Sequence, residues 1–224
     1  MSPRLLSCIV ALILSSTLHA TTVIQPVAIS LEPGSLIDDP GFPISNLVSP
    51  YGITPQYTSG VTDFDSYITG DPTSNGIHIA TPSRATPSPP VAGYIEFDFG
   101  ALHTIDAIAL WNIGGNESMN VKTFDLIGDA DGDFSSGAVT LLAGQTANAN
   151  NGIVSAVAPE TFTFSQTNLR YLRFDITMNN GNANFVGVAH IAARGVAVPE
   201  PSALALLTTL AVAFATQRRF RTPA

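Results

Sequence analysis

Cysteine is almost absent. The 224 residues contain one, Cys8, and it lies inside an N-terminal apolar stretch. Removal of that stretch leaves no thiol, which excludes disulfides, thiolate zinc sites and cysteine nucleophiles. Charge is scarce too, at 12% of residues against 45% hydrophobic. The chain is too apolar to be disordered and too poor in Lys, Glu and Arg to be mainly helical. Basic residues are rarest in the middle, where residues 21–198 hold 16 acidic and 5 basic side chains, a net charge of −11. Such a surface repels nucleic acid and anionic lipid, but tolerates neutral ligands and divalent cations. Catalytic signatures are missing as well. His19, His78, His103 and His190 are scattered, with no HExxH motif and no serine elbow. Glu96, Asp98 and Asp106 point outward from predicted strands and read as solvated carboxylates rather than a glycosidase pair. No enzyme is expected.

What is abundant is Thr, Ser, Asn, Gly and Val, with 18 Gly and 16 Pro. That mixture favours strands and turns. Met1 to Ala20 has Arg4 as a positive start, an apolar run from Leu5 to Leu14 and a small residue, Ala20, at the cut. This pattern predicts a secretory signal peptide over residues 1–20. Ala203 to Ala215 is apolar except for Thr208 and Thr209. As a helix it spans about 20 Å of a roughly 30 Å hydrocarbon layer, a marginal anchor. Arg218, Arg219 and Arg221 follow it and hold that end in the cytoplasm. About 175 residues lie between these ends, enough for one domain with its own core.

Val198-Pro199-Glu200-Pro201-Ser202, the apolar segment at about 203–216 and the arginine cluster together resemble the PEP-CTERM sorting signal of Gram-negative bacteria. The resemblance covers residues 196–224 and implies recognition by an exosortase-type protease, with cleavage near Pro-Glu-Pro. It implies a transient stay in the inner membrane, then release to the cell surface or an exopolysaccharide matrix.

Residues 21–90 carry recurrent Pro and Gly and predict short strands and long loops. From Gly93 the pattern sharpens. Ile95, Phe97 and Phe99 alternate with polar residues, as do Leu172, Phe174 and Ile176. Strands are predicted at 94–99, 104–112, 121–127, 139–142, 161–164, 170–177 and 185–193. Turns every 8–12 residues and no amphipathic helix indicate an antiparallel β-sandwich.

The run YIEFDFG, IDAIALWN, VKTFDLIGDADGDF, FTFSQTNLRYLRFDI and VGVAHIAARG resembles the discoidin (coagulation-factor C-type) domain. The resemblance is best over residues 94–195 of a domain spanning 21–195, with Ile44-Ser45-Asn46-Leu47 as a candidate early loop. It implies an all-β, antiparallel jelly-roll-type β-sandwich of the galactose-binding-like class, flanked by the signal peptide and the C-terminal hydrophobic sorting helix. It also implies ligand binding by end loops, and a structural calcium ion in many members. This chain has His190 where such members carry an acidic residue, and no Asp-Gly pair follows Leu47. Structural calcium is therefore left open, and no cofactor is assigned. Asp129, Asp131 and Asp133 offer oxygen ligands, but Gly132 stands at the wrong place for an EF-hand loop and a turn is preferred.

A sugar site needs an aromatic plate with amide and guanidinium donors around it. Trp111 and Asn112, at a strand end, are candidates against the plainer reading of a strand residue capping the core. Tyr57, Tyr67 and Arg84 are candidates from the loop-rich first half, and Asn180 and Phe185 from the rim. The expected function is a non-enzymatic, exported surface or matrix protein that binds exopolysaccharide or another glycan. The alternative is a purely structural envelope protein with no ligand site.

Overall fold

The computed structural model describes residues 21–48, 53–54, 57–69, 71–72, 78–82, 92–113, 117–148 and 158–198. The expected signal peptide and the sorting residues Pro199, Glu200 and Pro201, the apolar segment and Arg218, Arg219 and Arg221 all lie outside them. Among the described residues no helix is long and apolar enough to cross a membrane.

The strands are β1 (Thr22–Ile24), β2 (Ala28–Leu31), β3 (Leu36–Asp38), β4 (Ile53–Thr54), β5 (Asp71–Pro72), β6 (His78–Pro82), β7 (Gly93–Asn112), β8 (Val121–Asp129), β9 (Val139–Thr146), β10 (Glu160–Asn179) and β11 (Val186–Ala197). The main sheet runs β3-β6-β11-β7-β10-β8-β9, with β1 added to β11 and β2 to β7. Every pairing between these strands is antiparallel.

β7 and β10 each run for 20 residues, where the alternation predicted two shorter strands apiece. The expected break between the strands at 94–99 and 104–112 is instead a bend inside one strand at Gly100. Gly100 has φ +77°, a backbone state glycine enters without strain. Across the bend the β7–β10 register jumps from Leu169 opposite His103 to Tyr171 opposite Asp98. The first part of β7 carries β2 and faces the part of β10 that carries β8; the second part carries β11. One bent sheet thereby supplies both leaves of the sandwich.

The alternating residues face inward as their period requires. Ile95, Phe97 and Phe99 on β7 meet Phe124 and Leu126 on β8 and Leu172, Phe174 and Ile176 on β10 in the main core. The Phe124 ring lies 4.9 Å from Phe162 and 4.6 Å from Phe174, centroid to centroid. Gly195 lets β11 close on β7, because a Cβ there would sit 2.5 Å from the Thr104 carbonyl oxygen.

A second, smaller core lies beneath residues 57–69. Val23, Tyr57, Phe64 and Tyr67 pack there on Ala109, Trp111, Ala189 and Ala192. A single helical turn, α1 (Phe64–Tyr67), begins at Asp63, whose carboxylate accepts the Ser66 N–H at 2.8 Å. That backbone bond, with a second from the Ser66 hydroxyl, holds the Asp63 carboxyl below its ordinary range.

The sequence reads Arg170 and Arg173 as outward strand charges paired with local carboxylates, and they are; the reading of Glu96, Asp98 and Asp106 as merely solvated is corrected, because all three are ion-paired. Arg170 grips Asp98 with two bonds of 2.8 and 2.9 Å, Arg173 bonds Glu96 at 2.6 Å, and Arg194 bonds Asp106 at 2.7 Å. The pairs are cross-strand, so periodicity within one strand does not reveal which carboxylate each arginine meets, nor the Arg194–Asp106 pair. Hydrogen bonds from Arg170 draw the Asp98 carboxyl below its ordinary range; partial burial opposes this and the Gly100 N–H assists it.

Candidate functional site

Trp111, Tyr57 and Tyr67 do come together, but inside the protein. Trp111 and Tyr67 are fully buried and Tyr57 nearly so. The Tyr67 ring stands 4.8 Å from Tyr57 and 5.9 Å from Trp111, edge to face. Trp111 is therefore a core residue rather than an exposed plate, because residues 57–69 cover the sheet face it occupies. Tyr57 and Tyr67 are removed as surface ligands for the same reason, and burial pushes both phenols well above their ordinary pKa. Arg84 lies outside the described residues.

His190 joins this cluster. Its Nε2 is 2.8 Å from the Tyr67 hydroxyl, and its ring is 5.2 Å from Trp111. Full burial lowers its pKa to about 3, and the Asn46 backbone works only weakly the other way. A neutral imidazole bonded to a phenol suits no hard cation. The position that the discoidin resemblance links to calcium does not fit that ion in this chain.

Asp129, Asp131 and Asp133 bring carboxylate oxygens within 4.8 Å of one another. Asp129 also acts as a turn brace, accepting N–H groups from Ala130, Gly132 and Phe134 at 2.7, 3.0 and 2.9 Å. Burial opposes its ionisation, but those backbone donors, Phe134 foremost, carry its pKa below the ordinary value.

One end of the sandwich is rich in asparagine. Asn112 is 3% exposed, and its carboxamide is spent on the frame. Its Nδ2 donates to the carbonyls of Val121 and Asn148 at 3.1 and 3.0 Å, and its Oδ1 accepts the Val121 N–H at 3.1 Å. Asn112 positions the rim rather than offering free donors to a ligand. Asn179 Nδ2 donates to the carbonyls of Asn182 and Phe185, and Asn182 Oδ1 accepts the Phe185 N–H. These bonds hold the β10–β11 turn with Asn180 and Phe185 half-buried on it. Asn180 Nδ2 and both ends of the fully buried Asn120 carboxamide have no hydrogen-bond partner among the described residues.

Beside this rim a cleft of about 240 Å³ opens between the end of β7 and the start of β10. Leu110, Asn112, Asn148, Ala158, Pro159 and Glu160 line it. Glu160 stands opposite Leu110 in the ladder, and its Oε2 accepts the Asn148 N–H at 2.8 Å. Asn148 is thus clamped between Asn112 and Glu160. Glu160 and Asn148 escaped sequence reasoning. Neither residue stands in a motif. A second, smaller cleft of about 110 Å³ lies on the outer face of the sheet, against Ser30, Glu96, Asp98 and Tyr171.

Residues 57–191 match the F5/8 type C domain, and the chain belongs to that family. No curated protein matches it. Among solved structures, the fold is similar to a fragment of a candidate chitobiase from Bacteroides thetaiotaomicron, at 14% identity and TM-score 0.51, covering 80% of this chain and 95% of that one. It is also similar to the family 32 carbohydrate-binding module of C. perfringens NanJ, solved with galactose, at 12% identity and TM-score 0.48, covering 78% and 98%. A chitosan-binding module from Paenibacillus sp. IK-5 aligns at 14% identity and TM-score 0.46, covering 76% and 96%.

Proposed function

We propose that the protein is an exported, non-enzymatic surface or matrix protein that binds glycan through the asparagine-rich end of its sandwich. The observation that carries the reading is the end rim itself: Asn112 and Asn148, braced by Val121 and Glu160, border an open cleft, and the turn carrying Asn180 and Phe185 is tied to the same end by the Asn180 N–H to Asn120 carbonyl bond. Polar groups beside apolar side chains, here Asn148 and Glu160 with Leu110 and Pro159, suit a pyranose, which has hydroxyls at its edge and an apolar face. Membership of the F5/8 type C family supports end-loop binding.

Residues 1–20 act in this reading as a signal peptide, and the tail from Val198 as an exosortase-type sorting signal that visits the inner membrane and is cut. The fold agrees with a tether at the far pole. The Val198 N–H bonds the Leu102 carbonyl at 3.2 Å. Asn112 lies at the other end of the same strand, roughly 33 Å away at 3.3 Å per residue. A protein held by its tail presents the rim outward.

A glycan array with the purified protein tests the binding, and mass spectrometry of the exported form locates both cuts. Retention on glycan that falls in Asn180→Ala and Phe185→Ala, with the melting temperature kept, supports the rim. Absence of retention on any glycan favours the structural envelope protein instead.

A further inference from the structure

β1 begins and β11 ends at the pole opposite the rim. Thr22 stands opposite Gly195, and its hydroxyl donates to the Gly195 carbonyl at 3.2 Å. Three residues on, the Val198 N–H bonds the Leu102 carbonyl at the bend of β7. The expected signal peptide and the expected sorting tail therefore join the body within about 10 Å of each other along β11. The same pole is apolar. Val27 is 70% exposed and packs over Gly100, and Leu102, two residues on, is 43% exposed. Residues 25–31, 99–105, 164–169 and 195–198 build this pole and hold none of the 16 carboxylates of residues 21–198. Asp98, beside the bend, is bonded to Arg170, while Asp131 and Asp133 stand exposed on the β8–β9 turn at the margin. Such a surface offers lipid apolar contact and no attraction for anionic headgroups.

The length of the tail brings lipid to this pole. Four residues, 199–202, separate Val198 from the apolar segment 203–215. Fully extended, that link reaches about 16 Å. The apolar segment spans about 20 Å of a roughly 30 Å hydrocarbon layer, and the arginines beyond it hold its far end at the cytoplasmic face. Its near end then lies about 10 Å beneath the outer hydrocarbon boundary. Val198 is left at most about 6 Å above that boundary, within the headgroup layer. Thinning of the bilayer relieves the mismatch only at a cost.

We propose that this pole is a lipid-contacting face that seats the body on the outer leaflet of the inner membrane while the tail is inserted, with Val27 and Leu102 in the headgroup layer. This rests on the sorting reading of the tail and adds to it a contact surface on the folded body. The contact is independent of glycan binding at the rim.

The test uses the tailed precursor, exported in a Gram-negative host without the sorting protease and reconstituted into phosphatidylcholine vesicles. Loss of residues 1–20 removes Cys8, so a single substitution carries the only thiol. A dye on Val27→Cys or Leu102→Cys should be quenched several-fold more by a headgroup-level lipid quencher than the same dye on Asn180→Cys at the rim. Added phosphatidylglycerol should not raise that contrast. Val27→Asp with Leu102→Asp should abolish quenching of a dye on Ala101→Cys while the tail stays inserted. Equal quenching at pole and rim in a precursor that resists alkaline extraction overturns the seating and leaves the sorting tail intact. A contrast that needs phosphatidylglycerol, or quenching unchanged by the two aspartates, does the same. A precursor that alkaline extraction removes overturns both readings. If the double aspartate variant does not fold, the comparison of pole with rim still decides.

Discussion

The Tyr67 hydroxyl lies 2.8 Å from His190 Nε2, although 123 residues separate them in the chain. The bond stitches the segment 57–69 to the last strand, over the buried face of Trp111. It also fixes the protonation of His190. With the ring fully buried, the imidazole stays neutral.

Stability should therefore fall with acid in a defined window. The folded pKa of His190 is depressed to about 3 from an ordinary 6.5. The unfolded chain takes up a proton below pH 6.5 that the folded one refuses, so stability is full above 6.5 and declines as pH falls towards 3. Between pH 7 and 5 the loss from this residue should be roughly 1–2 kcal/mol. Urea midpoints at both pH values check it. His190→Gln should flatten the difference.

Tyr67→Phe takes from His190 the hydrogen bond at Nε2. The expected cost is about 1–3 kcal/mol, from an unsatisfied buried polar group. Trp111→Ala should cost about 3–5 kcal/mol through the cavity it leaves. Where that variant is still folded, its glycan affinity should match the parent's. Denaturation curves and a binding titration on the same samples separate the two effects.

Gly195→Ala should fold poorly. Its Cβ would come within 2.5 Å of the Thr104 carbonyl and 2.7 Å of Ile105 Cδ1. The backbone contact cannot rotate away, so β11 must move from β7 at about 2–3 kcal/mol. A thermal melt measures this, and Gly137→Ala, strained by its φ of +87° but free of neighbours, is the comparison.

Arg173 should matter more than an ordinary surface cation. Its guanidinium sits 3.9 Å from the centroids of both Tyr94 and Phe134 while bonding Glu96. Arg173→Lys keeps the charge but loses the planar stack, so it should recover little of the roughly 1–2 kcal/mol lost in Arg173→Ala. Arg170, with a side chain 38% exposed, should cost under about 1 kcal/mol.

The inward face of the sandwich was readable in advance because period-2 alternation reports burial directly, as at Ile95, Phe97 and Phe99. Strand ends were less readable. Gly100 looks like a terminator in one dimension, yet its left-handed backbone lets β7 bend and continue. Tyr57 and Tyr67 were candidates by location alone, and of the two readings of Trp111 the structure takes the core residue, packed against Tyr67. Nothing local to Trp111 records that a segment some fifty residues earlier covers it. Glu160 was invisible for a related reason. A lone carboxylate acquires a role only when folding places it opposite Leu110 and against the Asn148 N–H.

The most direct measurement is backbone amide NMR on the purified protein during titration with the best-retained glycan. Saturable shifts confined to residues 110–121, 146–148, 158–160 and 179–187 are expected. Shifts centred on the outer sheet face at Glu96, Asp98 and Tyr171, or none at saturating glycan, would contradict binding at the asparagine-rich end.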